Sequence, residues 1–357
     1  KLKKKGFNVL LVEEGEFYST NNFYFHNAYN SFKNIWKDFG MQTAFGKSII
    51  PVLQGKCAGG STVISGSIMH RLPEHIYNNW IEQDKNLEQS LSWPNIIHEM
   101  NTLEKSLNIR KNIVMSKFIK DKENDLSVNG FKLDVMKTLA PIQKNTESYL
   151  LSYPSVGKDS IENNILLEFL RLGGKLITGL KLDYIHKSSK INPILEFTTK
   201  QNNKVNLRAL KGSILSMGAV NTPSILLKSG FINKQIGKNF TCNIGTSVLG
   251  LYNKTRIEVE GPPMGLECMS IKDNKISTQS IPDEILLSRL PYFGSDLLNF
   301  RKKLKYISCW TTSTISDNMG HINLKFLSSK PTILYSPNQT TMKKIRSGLI
   351  DTCYILK

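Results

Sequence analysis

The hydrophobic pattern changes character along the chain. Phe7 to Val12 is a short apolar run, which predicts a buried parallel strand ending in Glu13. It follows Lys1 to Gly6 (KLKKKG), a basic last helical turn closed by a glycine. Tyr18 to Pro51 has little periodicity and reads as a long loop with short helices. Two amphipathic segments follow, around Ile76 to Gln83 and Trp93 to Leu107, the first starting near Pro73-Glu74. Asp159 to Leu172 predicts a helix, with Asp159 as its cap, Glu162 completing a capping box and Gly173-Gly174 closing it. Lys175 to Ile177 and Leu180 to Ile185 read as strands. Ile194 to Thr199 and Val205 to Leu210 read as a hairpin about Gln201-Asn202-Asn203. Lys211 to Met217 is a further candidate strand, and Ile225 to Lys228 lies on a helix that stops at Ser229-Gly230.

After Asn243 the texture is all-β. Thr246 to Tyr252, Lys305 to Thr312, His321 to Phe326 and Thr332 to Tyr335 are candidate strands, and Thr340 to Leu356 closes the chain as an amphipathic helix. No repeats interrupt this order. The elements predict an α/β chain (α+β overall). Residues 1–239 would form an incomplete Rossmann-like dinucleotide-binding domain, and residues 240–357 a second, strand-rich domain of antiparallel sheet. A length of 357 residues allows two domains.

The formal net charge of +18 raises nucleic-acid binding as a rival. Lysines outnumber arginines several-fold and are spread among Asn and Ile along the whole chain. Arginine, the residue suited to bidentate phosphate contacts, is scarce, so no nucleic-acid partner is expected. No apolar run approaches the ~20 residues that span a bilayer, and no secretory signal opens the chain. Cys57, Cys242, Cys268, Cys309 and Cys353 are odd in number and never paired as CxxC, which argues against a disulfide framework or thiolate zinc site. A reducing, cytoplasmic setting is the expectation. The histidines show no HExxH spacing, and no metal site is expected.

Chemistry concentrates in three places. Glycines are dense from Gly55 to Gly66 (GKCAGGSTVISG), where the missing Cβ atoms let main chain approach a ligand. A second glycine-flanked stretch runs from Gly218 to Gly230. The third is Glu13, since an acidic residue at a strand end binds a ribose hydroxyl in dinucleotide-binding βαβ units. The glycine fingerprint of such units lies ~20 residues upstream of that acid. Only twelve residues precede Glu13, so the chain is expected to be a fragment whose first strand and phosphate-binding glycines lie before Lys1. Gly40 to Ser48 (GMQTAFGKS) is not a nucleotide-binding loop, having five residues between its glycines and no apolar strand leading in.

These stretches resemble the glucose–methanol–choline (GMC) flavin oxidoreductases. The first family signature runs Gly-Gly-Ser-Ser, two residues, Asn, five residues, Arg. Gly59, Gly60, Ser61 and Arg71 match it, Thr62 stands in for the second serine, and Ser65 departs from the Asn. The second signature is similar to Gly218 through Gly230, with Gly218, Ala219, Thr222, Pro223, Ile225, Leu226, Ser229 and Gly230 at the expected spacing. Phe231 and Ile232 depart at its end. Thr178 to Leu182 resembles the family strand whose backbone touches the adenine, with Leu182 at the contact position. Ile236 to Asn239 resembles the Val-Gly-Arg-Asn turn into the substrate domain, though Asn243 stands where a His is frequent. Pro154 to Lys158 is similar to a segment of some alcohol-oxidising members.

The resemblance implies FAD, held by Glu13, Gly55, Gly59, Gly60, Ser61, Thr62, Ser65, Leu182 and Gly218. It implies hydride transfer from a CH–OH group of an alcohol or sugar to the flavin, with the electron acceptor left open. The family's catalytic His falls beyond Lys357, and none of His26, His70, His75, His98, His186 or His321 stands in that context. Both ends of the flavin domain are thus expected to be missing, and FAD retention by this chain to be weak or absent. A non-catalytic, degenerate flavin-fold protein is the alternative, motivated by Ser65, Phe231 and Asn243. Ser61 and Thr62 read as cofactor contacts rather than nucleophiles, since no GxSxG elbow surrounds them. Arg71 reads as a structural partner for a carboxylate, Cys57 as a packing residue, and Trp80, Trp93 and Trp310 as core or interface residues. One condition governs the reading: the segments around residues 60 and 218 must converge.

Overall fold

The computed structural model describes residues 1–18, 27–109, 111, 114–115, 120, 123, 126–139, 161–187, 193–253, 259–260, 265–268, 274–279, 283–316, 318–324 and 330–357. Asp159 and the Pro154 to Lys158 segment lie outside them. The Lys3–Lys5 turn ends at Gly6 with φ +83°, as its sequence requires. The strand that follows is Leu10–Val12, shorter than Phe7 to Val12, and it pairs in parallel with Lys175–Ile177. It is parallel but not buried: Leu10, Leu11 and Ile177 are 43%, 41% and 37% exposed. The reason is topological, since among the described residues these two strands form a sheet of two.

Ile194–Thr199 and Lys204–Arg208 form the expected hairpin, and Leu180–His186 joins it as a third antiparallel strand. Lys211 to Met217 is not a strand. It finds no sheet partner among the described residues, and Ile214 is 75% exposed. The helix after it starts earlier than expected, spanning Gly218–Lys228 with Pro223 inside. It stops as predicted, at a left-handed Gly230, where Phe231 donates back to the Leu226 carbonyl. Within Tyr18 to Pro51, the described residues 27–51 hold the helix Ala28–Ile35 and the strands Thr43–Phe45 and Ile50–Pro51, more regular structure than their polarity implied. The segments from Pro73 to Leu107 are the helices Glu74–Gln83 and Trp93–Ser106, with a short turn of helix between.

A five-stranded antiparallel sheet has Asn243–Leu251 at one edge, then Ile307–Ile315, Asn274–Thr278, Leu266–Cys268 and Leu133–Val135. The carboxy-terminal helix Gln339–Leu356 lies on one of its faces. Ile355 and Leu356 pack there into a core with Trp310, Ile276, Leu266 and Cys268. A four-stranded sheet combines His321–Leu324 and Pro331–Leu334 with Thr43–Phe45 and Ile50–Pro51. Both sheets thus draw strands from either side of residue 240. No disulfide joins the five cysteines, and Cys57 and Cys268 are buried packing residues. Among the described residues no helix is long and apolar enough to cross a membrane.

Candidate cofactor and substrate site

The glycine-rich segment closes on itself. Gly55 donates its N–H to the Ser61 Oγ at 3.0 Å, and a Cβ on Gly55 would stand 2.6 Å from the Gly60 carbonyl. Only glycine allows that approach. The Thr62 hydroxyl donates to the Gly59 carbonyl at 2.6 Å, and Ser65 Oγ donates to the Thr62 carbonyl at 2.9 Å. The three hydroxyls expected at the cofactor therefore shape the loop first. Gly60 (φ +59°) precedes the short helix Ser61–Ile64, whose Val63 and Ile64 pack beside Ile35, Trp36 and Cys57.

The end of the first strand is welded to this loop. Glu16 and Cys57 form a parallel bridge, Ala58 donates to the Glu16 carbonyl at 2.9 Å, and a Cβ on Gly15 would collide with Lys56 backbone. The Glu13 carboxylate accepts the Gly15 N–H at 2.8 Å. Burial raises its pKa above the usual value, against a lowering by that hydrogen bond. The strand bearing Leu182 starts at the same place, where Gly179 and Leu180 donate to the Gly15 and Glu13 carbonyls.

Gln54 joins the two signatures. It immediately precedes Gly55, its Nε2 lies 3.4 Å from where a Gly218 Cβ would stand, and its Oε1 accepts from Asn221 Nδ2 at 3.5 Å. The segments around 60 and 218 therefore converge, and Glu13, Gly55, Gly59, Gly60, Ser61, Thr62, Ser65 and Gly218 belong to one continuous cluster. Sequence reasoning missed Gln54, whose only signal was its place before Gly55. A cleft of about 620 Å³ opens beside the cluster, lined by Gly15, Glu16, Lys56, Gly179, Lys181 and Asp183 among others. Glu13 and Leu182 do not line it. Lys181 and Asp183 do, and Leu182 between them faces the other side of its strand.

Arg71 is structural, as expected. Its guanidinium donates to both Glu104 oxygens at 2.7 and 2.6 Å and to Asn101 at 2.6 Å. With Lys137 adding a third donor, the Glu104 pKa is lowered to about 2. His70, on the segment leaving the loop, meets Lys275 Nζ at 2.6 Å, and both sit within 4 Å of Glu267. Of the other described histidines, His186 pairs with Glu196 and His321 lies on a strand of the four-stranded sheet.

An α/β frame whose glycine segments converge at a strand end, beside a mainly antiparallel sheet, is of the class of folds that hold a dinucleotide. The chain belongs to the GMC oxidoreductase family, whose model matches residues 4–244. It is 18% identical to an uncharacterised GMC-type oxidoreductase of Mycobacterium tuberculosis over 90% of this chain and 52% of that one. It is 20% identical to the long-chain-alcohol oxidase FAO4B of Arabidopsis thaliana over 73% of this chain and 36% of that one. The chain thus spans about half or less of the length of these curated relatives. Among solved structures, an FAD-dependent oxidoreductase from Chaetomium thermophilum superposes with a TM-score of 0.60 at 10% identity, covering 98% of this chain and 77% of that one.

Family and fold imply FAD, and the residues present fit it. A Cβ on Gly60 would meet no atom within 4 Å, and one on Gly218 (φ +84°) only the Gln54 amide. Both glycines therefore offer bare main chain to a large flat ligand. Gly218 also opens a helix of 11 residues with no side-chain cap, so its first N–H groups suit a pyrophosphate.

Proposed function

We propose that this chain supplies the glycine-lined cofactor cradle and the substrate-facing sheet of an FAD-dependent oxidoreductase acting on the CH–OH group of an alcohol or sugar. The carrying observation is the convergence of the Gly55–Gly60 loop and the Gly218 helix start on Gln54, next to the acidic strand end. FAD, when bound, accepts the hydride from the alcohol carbon. The chain's own part is to hold and orient. Gly55, Gly59 and Gly60 present main chain, and the uncapped Gly218 helix start offers N–H donors. The Glu13 carboxylate is the acceptor for ribose hydroxyls, as strand-end acids are in dinucleotide sites. Ser61, Thr62 and Ser65 fix the loop that makes this possible.

The test is a titration of FAD into the purified chain, read by quenching of flavin fluorescence and competed with ADP. Saturable binding is expected, weak enough that the chain is purified colourless. Gly60→Val should abolish it and also lower thermal stability, because φ +59° strains any side chain there, so binding is compared at a temperature where circular dichroism shows the variant folded. No binding at about 1 mM FAD, where even an interaction of ~4 kcal/mol would register, overturns the reading. Stoichiometric flavin carried through purification would overturn the expectation of weak retention.

A further inference from the structure

Residues 289–305 carry five cations, Arg289, Arg301, Lys302, Lys303 and Lys305, and a single acid, Asp296. All five cations are exposed. Among the described residues none of them forms an ion pair, whereas elsewhere Lys4 reaches Glu168 and Lys204 reaches Glu196. Large apolar side chains stand out in the same stretch. Phe293 is 86% and Leu298 61% exposed, and Tyr292 is exposed beside them. The local sequence explains the arrangement. Pro291 and the left-handed Gly294 (φ +57°) bracket a turn with Tyr292-Phe293 at its tip, and Gly294 opens the helix Gly294–Arg301. On that helix Leu297 and Phe300 are half-buried, and the Phe300 ring holds the Tyr292 ring at 5.2 Å between centroids. Leu298, Arg301 and Lys302, three and four residues apart, share the outward face. One side of the helix therefore packs, and the other sets a leucine among unpaired cations.

A single exposed apolar residue is ordinary, but three beside a run of unpaired cations form a patch with a direction. In water the patch gains nothing: its apolar groups stay hydrated, and its neighbouring like charges repel. One environment reverses both terms, an apolar layer lying just beneath a layer of anions. We propose that residues 289–305 dock the protein onto an anionic phospholipid surface. Phe293 and Leu298 enter the acyl boundary, Tyr292 sits at headgroup level, and the five cations meet lipid phosphates and carboxylates. The protein then lies on the bilayer, and among the described residues no helix is long and apolar enough to cross it. A nucleic acid would meet the same cations but would leave Leu298 unburied. Three of the five are lysines, which attract phosphate as point charges and lack the arginine fork. The inference stands apart from the cofactor reading, since none of these residues lines the cleft beside the cradle.

The experiment is cosedimentation of the purified chain with vesicles of phosphatidylcholine alone and of phosphatidylcholine mixed with phosphatidylserine. Binding is expected to the mixed vesicles only, and to weaken as salt is raised. A net charge of +18 could produce that much without this element, so the deciding variants leave charge untouched. Phe293→Ser/Leu298→Ser should weaken binding by roughly tenfold or more, the effect of burying one such side chain. Ile232→Ser, at a position 99% exposed outside the element, should bind as the parent does. Lys302→Glu/Lys303→Glu should weaken binding by at least about 20-fold, at about fivefold for each charge removed. All these positions are exposed, and circular dichroism checks that each variant is folded. In Phe293→Trp, vesicles should shift tryptophan emission to the blue beyond any change in the parent. Absence of binding to the mixed vesicles overturns the inference. So does binding unaltered by the serine pair, binding lost equally in Ile232→Ser, or an unshifted Phe293→Trp emission on bound vesicles. Duplex DNA that displaces the vesicles, and whose own binding the serine pair weakens as much, would assign the element to nucleic acid and overturn it as well.

Discussion

Glu13 holds a charge where its surroundings disfavour one. Burial raises its pKa, and the Gly15 N–H, helped by Lys37 and the Glu14 N–H, does not cancel that effect. The sign of the linkage follows. A carboxyl whose pKa is raised on folding costs no stability below its unfolded value near 4.5, and costs progressively more as pH rises through the folded value. Glu13→Gln should therefore match the parent chain at pH 4 and exceed it in urea midpoint at pH 7. The same substitution removes a charged acceptor, and hydrogen bonds to charged groups contribute about 1.5–3 kcal/mol. FAD affinity should fall by roughly tenfold or more. A variant that gains stability while losing cofactor would show that this acid is kept for binding, whereas loss of stability at pH 7 would contradict the argument. Arg71 behaves in the opposite way: its partner Glu104 has a pKa lowered from 4.5 to about 2, so that contact strengthens the fold above about pH 4.5 and its contribution falls away as pH drops from there through 2.

At the scale of elements, the glycine loop is a knot of close approaches, and Gly55 is its tightest point. A methyl group there would stand 2.6–2.8 Å from the Gly60 carbonyl and the Ser61 nitrogen, both of them backbone. Gly55→Ala should destabilise the chain by about 1–3 kcal/mol, the range for overpacking a close-packed site. Thermal melting would check it, and an unchanged Tm would mean the loop can open without cost. Much of this element was legible beforehand because its information is local. Glycine spacing, the left-handed stop at Gly230 and the helical period of Gln339–Leu356 all act within a few residues. What was not legible depends on register between distant strands. The contact of Gln54 with the Gly218 helix and the pairing of His70 with Lys275 have no sequence signal of their own. Lys211 to Met217 shows the converse: Ile214, Leu215 and Met217 suggest a strand, yet the segment joins no sheet among the described residues.

At the scale of the whole molecule, the question is whether cofactor cradle and substrate sheet respond as one. The core formed by Ala44, Val220, Phe240, Ile322, Ile333 and Tyr335 takes residues from both halves of the chain. Val220 lies in the first turn of the signature helix, while Ile333 pairs across the sheet with Ala44. The Ile236–Asn239 turn adds a second tie, since a Cβ on Gly237 would strike the Ile322 carbonyl at 2.4 Å. Ile333 is 1% exposed, so Ile333→Ala would leave a cavity directly beneath the helix start proposed to meet the pyrophosphate. Cavity-forming changes of this kind cost about 2–5 kcal/mol. If the halves are coupled, urea unfolding followed by tryptophan fluorescence should remain a single transition, shifted to a lower midpoint. FAD affinity should also weaken, although Ile333 is not part of the cradle. Two separated transitions, with FAD affinity untouched, would mean that the halves fold independently and that the cradle does not depend on the sheet packed beneath it.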